Sequence, residues 1–270
     1  MTNMQELGHP EGHDYVVGSP HLKHRELHDR LVSLVLSSVQ DVARRGLPQD
    51  LLEIGAGHGG LTTDILAQGG KVVATEMSAP SIQLLERRFG MNPSFLPVSD
   101  PDGSLDVLGD ERFSAILYAS VLHHIPDYLS AVRLACERHL RPGGVLISIQ
   151  DPLWYPTSGR VTRIVASVAY YWWRLGQGGY LRGLMTVGRR VRGRLDESNP
   201  SDMVEYHVIR QGVDQQMLHD QLRATFESVV LTAYWSTQSP LWQRLGELWG
   251  LRNTFALVAT GYRGIGSAQL

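Results

Sequence analysis

A glycine-rich turn at residues 55–60 constrains the fold of this chain more than any other feature. It directly follows the short apolar segment Leu-Leu-Glu-Ile at 51–54, and glycine occupies positions 55, 57, 59 and 60. We interpret the segment as a buried strand and residues 61–68 as the helix after it. Glycines permit a tight turn and close approach of a ligand to the backbone, while a helix start offers unpaired N–H groups to an anion. The turn is therefore predicted to bind a nucleotide-containing cofactor.

The next strand supplies an acid for a ribose. Residues 71–75 form the second predicted strand, and Glu76 stands at its end, 21 residues after Gly55. A carboxylate there can accept hydrogen bonds from both ribose hydroxyls, which suits any adenosine ligand. The turn alone does not decide which one, because Gly55, Gly57 and Gly60 also satisfy the dinucleotide fingerprint G-x-G-x-x-G.

Lysine is nearly absent from the chain, and this weakens the rival interpretations of the turn. Only Lys23 and Lys71 occur among the 25 lysines and arginines. The Tyr-x-x-x-Lys pair of short-chain dehydrogenases is missing from the sequence, and so is the Gly-Lys-Ser/Thr signature of phosphate-binding loops. The main competing classes of nucleotide-binding protein therefore lack their chemistry here.

The strands that follow carry further motifs at their ends. A third predicted strand ends at Ser99 and Asp100, where the acid suits an adenine amino group. Strand four, 113–118, precedes Ala-Ser-Val-Leu-His-His-Ile-Pro-Asp at 119–127, and Leu-Arg-Pro-Gly-Gly at 140–144 turns into strand five. In this order, E-x-G-x-G-x-G, V-L-H-H-I-P-D and L-R-P-G-G-V-L-I resemble the class I S-adenosylmethionine-dependent methyltransferases of the small-molecule kind.

The resemblance covers residues 47–152 strongly and 205–262 more loosely. It implies an α/β fold with a Rossmann-like, seven-stranded sheet whose last strand is antiparallel. It also implies S-adenosyl-L-methionine as cofactor and S-adenosyl-L-homocysteine as product. The residues expected to bind the cofactor are Glu53, Gly55, Ala56, Gly57, Gly59, Glu76, Met77, Ser99, Asp100, Ala119 and Ser120, with Tyr15 and His24 reaching its methionine end from the N-terminal segment.

Changes in pattern divide the chain into four parts. Residues 1–46 comprise a polar arm and a helix predicted over 21–46, and residues 47–152 form the cofactor-binding core. Residues 153–204 interrupt the alternation of strands and helices, and we expect this insertion to act as a lid over the acceptor. Residues 205–270 complete the sheet.

The predicted lid is rich in aromatic and arginine side chains and has no acid between Asp151 and Asp196. Aromatic rings suit a large apolar or planar acceptor. The alternative is that the rings only pack the lid onto the core. Three interpretations of the arginines remain open: they are solvated, they face an acidic group of the acceptor, or they lie on an anionic membrane surface. The rings expected to bind the acceptor are Trp154, Tyr155, Tyr171, Trp172 and Trp173, together with Tyr206.

Four side chains are candidates for a catalytic base. Methyl transfer from a sulfonium is an in-line displacement, so a base is needed only when the acceptor has a proton to lose. His123 and His124 follow strand four at the carboxyl edge of the sheet, where ligands of open α/β sheets bind. Asp151 follows strand five at the same edge, and His207 is a further candidate. No metal site is expected, because no spaced set of carboxylates accompanies the histidines.

Composition and charge set the expectations for location and partners. The net charge of −2 gives no electrostatic case for nucleic acid, and the single cysteine, Cys136, excludes an internal disulfide. No N-terminal apolar core resembles a signal peptide, and no segment approaches the length of a membrane span. We therefore expect a cytoplasmic location without stable membrane insertion. The expected partners are a small-molecule acceptor and, through the arm or lid, further copies of the chain.

The predicted function is methyl transfer to a largely apolar small molecule in natural-product (secondary-metabolite) biosynthesis. Residues 18–24 and 150–155 carry a looser likeness to actinobacterial enzymes that methylate carbon of prenylated indole alkaloids. Methylation of an alkene carbon, through a carbocation that rearranges or cyclises, is therefore an alternative. A non-catalytic protein that keeps the fold is another. An RNA methyltransferase is the last, although Ala-Ser-Val-Leu stands at 119–122 in place of its usual Asn/Asp-Pro-Pro-aromatic motif.

Overall fold

A computed structural model describes residues 19–176 and 212–264, in which seven strands form one sheet. In chain order the strands are β1 (Asp50–Ile54), β2 (Lys71–Glu76), β3 (Phe95–Ser99), β4 (Phe113–Ala119), β5 (Leu140–Pro152), β6 (Phe226–Tyr234) and β7 (Thr254–Tyr262). Their order across the sheet is β3-β2-β1-β4-β5-β7-β6. The first five are parallel, and β7 runs antiparallel to both of its neighbours. The predicted Rossmann-like sheet with an antiparallel last strand is confirmed.

Helices cover both faces of this sheet. Within the described ranges they are α1 (Pro20–Lys23), α2 (Arg25–Arg44), α3 (Thr62–Ala67), α4 (Ala79–Phe89), α5 (Tyr128–His139), α6 (Arg160–Gly176), α7 (Gln215–Arg223) and α8 (Pro240–Leu248). Side chains alternate between two cores because successive strand residues point to opposite faces. One core contains Leu52, Ile116 and Leu146, with residues of α5 and α7. The other contains Leu51, Leu117 and Ile147, with residues of α2, α3 and α4.

Two predicted elements differ from the structure. The helix predicted over 21–46 is broken at His24, whose extended backbone (φ −97°, ψ 106°) separates α1 from α2. The turn predicted at 140–144 is an irregularity within β5. Leu140 pairs with Phe113 and Val145 pairs with Ala115. The four residues between them therefore bulge from the strand, which resumes regular pairing after the bulge.

The strand order places the ligand site. It reverses between β1 and β4, and open α/β sheets bind ligands beyond the carboxyl ends of the strands at such a point. The glycine turn follows β1 there, and the histidine pair follows β4. No helix within 19–176 or 212–264 has the length and hydropathy needed to cross a membrane. The predicted four-part division, the cytoplasmic location and self-association stay predictions.

Candidate active site

The glycine turn between β1 and α3 has a backbone that side chains would disturb. Gly55, Gly57 and Gly59 have φ of +68°, +56° and +72°, which L-residues rarely adopt. A Cβ on Gly55 would lie 2.8 Å from Val121, and one on Gly59 would lie 2.6 Å from Phe89. The turn therefore needs glycine both for its conformation and for the packing of the elements around it.

The fourth glycine of the turn, Gly60, is required by packing against a neighbouring helix. A Cβ on Gly60 would lie 2.6 Å from the side chain of Leu22 in α1. The N-terminal helix thus packs directly on the end of the turn. The last glycine of the G-x-G-x-x-G match is therefore accounted for by this contact and does not require a dinucleotide.

Glu76 fastens the turn to the start of α4. Its carboxylate accepts hydrogen bonds from the backbone N–H of Gly57 at 2.8 Å, of Met77 at 2.9 Å and of Ser78 at 3.0 Å. An ionised carboxylate offers about four acceptor positions, so capacity remains for a ribose hydroxyl. The half-buried side chain lies at the end of β2 as predicted, and its placement fits that role.

Asp100 provides an acceptor that an adenine would satisfy. The residue is buried, and its Oδ2 accepts from the Leu105 N–H at 3.2 Å. Its Oδ1 is also buried and has no hydrogen-bond partner among the described residues. Burial raises the pKa of this carboxyl above its usual range. A buried acceptor without a donor is costly, and the amino group of an adenine would supply the donor. The residues present therefore fit an adenosine-containing cofactor.

The remaining predicted cofactor residues border the same edge of the sheet. Met77 Sδ lies 3.6 Å from the position of a Cβ on Gly103, so the loops after β2 and β3 meet. Ser99 is exposed at the end of β3, Ala56 is half-buried in the turn, and Ala119 is half-buried at the end of β4. Direct contact of these residues with the cofactor stays a prediction.

Glu53 lies below the turn rather than at its surface. The side chain is buried and accepts from the Thr62 hydroxyl at 2.6 Å, which ties β1 to α3. Burial raises its pKa to about 7, and the nearby Glu76 adds to the rise. This placement gives Glu53 a supporting role under the turn, and its predicted direct contact with the cofactor stays a prediction.

A buried histidine–aspartate pair lies at the carboxyl ends of β4 and β5. His123 Nδ1 is 2.7 Å from Asp151 Oδ1, and the His123 backbone N–H donates to the same oxygen at 3.2 Å. The Ser148 hydroxyl donates to Asp151 Oδ2 at 3.1 Å. Burial lowers the pKa of His123 to about 4 and raises that of Asp151 to about 7. The structure thus brings together two of the four predicted bases.

A bulge in β5 turns Asp151 toward His123. Ile149 pairs with Ala256 of β7 and Asp151 pairs with Phe255, which leaves Gln150 as an extra residue with φ of +66°. The extra residue reverses the alternation of faces, so Asp151 and Ser148 meet on one side of the sheet.

Gln150 itself points to the opposite side of the sheet. Its side-chain amide donates to Ser236 at 2.6 Å and accepts from the Tyr234 hydroxyl at 3.1 Å. The roles of Ser148 and Gln150 were not predicted from the sequence. Polar residues at alternate positions of an otherwise apolar strand are the signal that was available.

Ser120 marks the neighbouring strand end in the same way. Its φ is +62°, and its N–H donates to the Ile149 carbonyl at 2.8 Å. Non-glycine residues with positive φ cluster at functional sites, where the surroundings stabilise a strained backbone. Among the described residues only Leu105, Ser120 and Gln150 have such a backbone, and two of them flank the His123–Asp151 pair.

The other predicted residues are more scattered. His24 Nε2 donates to the Thr237 carbonyl at 2.7 Å, so this side chain is engaged with the loop after β6. The exposed ring of His124 lies against that of His123, with centroids 4.0 Å apart and ring planes tilted by 42°. Within the described ranges no cluster of three or more His, Cys, Asp or Glu is suited to a metal ion. Tyr15, Tyr206 and His207 lie outside the described residues.

The aromatic residues of the predicted lid separate into two groups. Trp154, Tyr155 and Trp173 are partly buried, and burial raises the pKa of Tyr155. Tyr171 and Trp172 lie on the outer face of α6 and are exposed. Successive helical residues are about 100° apart, so the three neighbours at 171–173 cannot share one face. Tyr171 and Trp172 therefore lie on a different face of α6 from Trp173, and binding of the acceptor by any of these rings stays a prediction.

Comparison with known proteins agrees with the geometry of the site. Residues 52–146 match the model of a family described as a methyltransferase domain. The chain is 34% identical over 121 residues to chondramide synthase cmdD of Chondromyces crocatus, an alignment that covers 42% of this chain and 3% of that protein. It is 38% identical over 78 residues to ribosomal RNA small subunit methyltransferase A of a Synechococcus strain, covering 29% of this chain and 27% of that one.

A solved structure shares the whole fold. The N-methyltransferase NodS of Bradyrhizobium japonicum, in complex with S-adenosyl-L-homocysteine, matches with a TM-score of 0.51 and 14% identity, and the match covers 97% of this chain and 99% of NodS. At this identity the likeness supports the fold alone. It agrees with the sheet order and the antiparallel β7.

Residues 52–146 therefore carry a methyltransferase domain. Its sheet order and its acceptors for an adenosine fit the predicted class I type, and S-adenosyl-L-methionine is the cofactor of that type. The predicted resemblance and cofactor are confirmed. Since the alignments cover only 3% and 27% of the two curated relatives, neither relative assigns an acceptor to this chain.

Proposed function

We propose that this chain transfers a methyl group from S-adenosyl-L-methionine to a largely apolar small molecule in natural-product biosynthesis. The observation that carries the proposal is the buried His123–Asp151 pair, which lies beside the glycine turn. Val121 links the two, because its side chain lies against Gly55 of the turn. The match to chondramide synthase supports the natural-product context.

The residues of the site divide the work between binding and proton transfer. Glu76 and Asp100 hold the ribose and adenine, and the glycine turn lets the rest of the cofactor approach the backbone. The bound cofactor supplies a methyl group activated by its sulfonium. Positioning and exclusion of water account for most of the rate in such a displacement.

His123 is the base in this proposal. Its low pKa keeps the imidazole neutral at physiological pH, with Nδ1–H donating to Asp151. Because Nδ1 is engaged, the proton lost by a hydroxyl or amine acceptor goes to Nε2 as the methyl carbon passes from the sulfonium sulfur to the acceptor atom. The Asp151 carboxylate then stabilises the imidazolium, in the manner of other carboxylate–histidine pairs.

Methylation of an alkene carbon is a second candidate, and the low basicity of His123 favours it. A base with a pKa of about 4 is poorly matched to a hydroxyl or amine near neutral pH. It suffices for a carbocation, which is far more acidic. Trp154 and Tyr155, within four residues of Asp151, offer ring faces that stabilise a cation by about 0.5–2 kcal/mol each.

Single-turnover methyl transfer with the variants His123→Ala and Asp151→Asn tests the proposal. The acceptors are a panel of phenols, amines and prenylated indoles, and product mass and structure are determined. A loss of rate above about 100-fold without a change of product supports base catalysis. His219→Ala, on α7, is the matched control and is expected to retain the rate. A rearranged or differently unsaturated product with retained transfer would establish carbon methylation instead. Full activity of both variants would refute a role for the pair.

A further inference from the structure

The outward face of α6 is apolar and open to solvent. Val161, Ile164, Val168, Tyr171 and Trp172 are each between 42% and 65% exposed. Their spacing of three, four, three and one residues keeps them on one side of a helix, so they form a continuous stripe. Single exposed apolar residues need no explanation, but a contiguous stripe on a soluble domain indicates an interaction surface.

Arginines border the stripe, and among the described residues no acid lines the groove that they share with it. Arg160 and Arg163 are exposed and line the same shallow groove as Ile164, Val168 and Tyr171. In the sequence, residues 152–195 contain eight arginines with no lysine and no acid, although the net charge of the whole chain is −2. The positive charge is therefore concentrated in this part of the chain.

The combination of charge and apolarity selects among possible occupants. A second copy packed face to face on this stripe would bring arginine against arginine, because a two-fold interface pairs a surface with itself. A nucleic acid would use the arginines but not an aliphatic stripe. An anionic lipid surface uses both, because apolar side chains enter the acyl boundary while arginines contact phosphates. Tyrosine and tryptophan are also the aromatic residues enriched at such interfaces.

We propose that α6 lies flat on an anionic membrane surface, with the stripe in the lipid and Arg160 and Arg163 at the headgroups. The 13 residues from 160 to 172 form a helix about 20 Å long, which suits lying in the interface. Binding to lipid does not depend on methyl transfer, so this inference stands or falls separately from the proposed function.

Sedimentation of the full chain with lipid vesicles tests the proposal. One preparation contains phosphatidylcholine alone, and the other contains about one-third phosphatidylglycerol. The chain is expected to bind the anionic vesicles and to dissociate as salt is raised, since screening weakens surface charge interactions. The double variant Arg160→Glu/Arg163→Glu should lose at least about tenfold in affinity. Ile164→Gln/Val168→Gln should lose a similar factor.

The matched control removes the same kinds of side chain elsewhere. Arg87→Glu/Met91→Gln changes an exposed arginine and an exposed methionine at the end of α4, and it should bind like the wild type. Circular dichroism verifies that each variant is folded, and the charge-reversed pair keeps the test valid if the apolar pair does not fold. Failure of the wild type to bind either vesicle would overturn the proposal. So would equal loss in the control, or a dimer in sedimentation velocity that Ile164→Gln/Val168→Gln dissociates.

Discussion

The two halves of the carboxyl edge are built by different means. In the cofactor half, beyond β1 to β3, the central carboxylate of Glu76 is held by three backbone N–H groups. In the acceptor half, beyond β4 and β5, the central carboxylate of Asp151 is bound by the side chains of His123 and Ser148 in addition to backbone N–H groups such as that of His123. One half depends mainly on backbone conformation and the other on which side chains meet.

Under the proposed function, this difference explains why one half suits a constant ligand and the other a variable one. A backbone-built site tolerates little change, because glycine turns and amide donors are fixed by the path of the chain. A side-chain-built site can be altered by single substitutions without a new fold. The methyl donor is the same throughout the class, whereas acceptors differ.

The largest effect is expected from a side chain in the glycine turn. Gly59→Ala introduces a strained φ of +72° and a Cβ 2.6 Å from Phe89, with expected costs of about 1–2 and 1–3 kcal/mol. Gly69→Ala is the matched control, because its φ of +81° is equally strained but its Cβ would have open space. Thermal unfolding should show the larger loss at Gly59. Calorimetry with S-adenosyl-L-homocysteine should show weakened binding there only. Equal losses of stability at the two positions would show that packing around Gly59 does not contribute.

The next effect concerns the charge buried below the same turn. Because burial raises the pKa of Glu53 from 4.5 to about 7, the folded state binds more protons than the unfolded state between these values. The contribution of Glu53 to stability therefore falls as the pH rises from 4.5 to 7, by at most about 3 kcal/mol. Glu53→Gln carries no titrating group at this position, so its stability does not fall in this way. Its stability relative to the wild type should rise with pH in urea unfolding. The exposed Glu86→Gln should show no such trend.

The extent to which the sequence predicted this structure follows the same division. The cofactor half was predictable because its parts are local: an apolar strand, alternating glycines, and acids at strand ends Glu76 and Asp100. Each depends on near neighbours in the chain. The antiparallel β7 came from the resemblance to a family instead of from the residues.

The acceptor half was less predictable because its contacts are long-range. His123 and Asp151 were separate candidates, and only the bulge at Gln150 brings them together. No local pattern reveals an extra residue in a strand whose partner, β7, lies more than 100 positions later in the chain. Tyr171, Trp172 and Trp173 were likewise all expected to bind the acceptor, whereas helix geometry sends their rings in different directions.

A smaller effect is expected from the ribose contact in the cofactor half. Glu76→Ala removes charge-assisted hydrogen bonds to the ribose and should weaken binding of S-adenosyl-L-homocysteine at least about tenfold in calorimetry. It also removes the acceptor of three backbone N–H groups. Glu76→Gln therefore serves as the comparison, because its amide oxygen can still accept from some of them. Unchanged affinity in both variants would refute the assignment of the ribose to Glu76.

The smallest effect, in the acceptor half, distinguishes a positioned base from mere packing. Ser148→Ala removes the hydroxyl that donates to Asp151 Oδ2, a hydrogen bond that favours the carboxylate. The pKa of Asp151, already raised by burial to about 7, should rise by up to about one further pH unit, which corresponds to about 1.4 kcal/mol.

If methyl transfer requires the Asp151 carboxylate, the rate of Ser148→Ala should fall by up to about fivefold at pH 7, by up to about tenfold at lower pH, and recover at higher pH. The acidic limb of the pH–rate profile therefore moves to higher pH, and the rate on the plateau stays unchanged. Ser114→Ala is the matched control, because this buried serine lies at the opposite end of β4 and accepts from Arg141. A loss of rate that is the same at every pH would mean that Ser148 acts only through packing. In the side-chain-built half, loss of one hydroxyl should therefore shift the pH–rate profile. Loss of a single hydroxyl in the backbone-built half should not produce this shift.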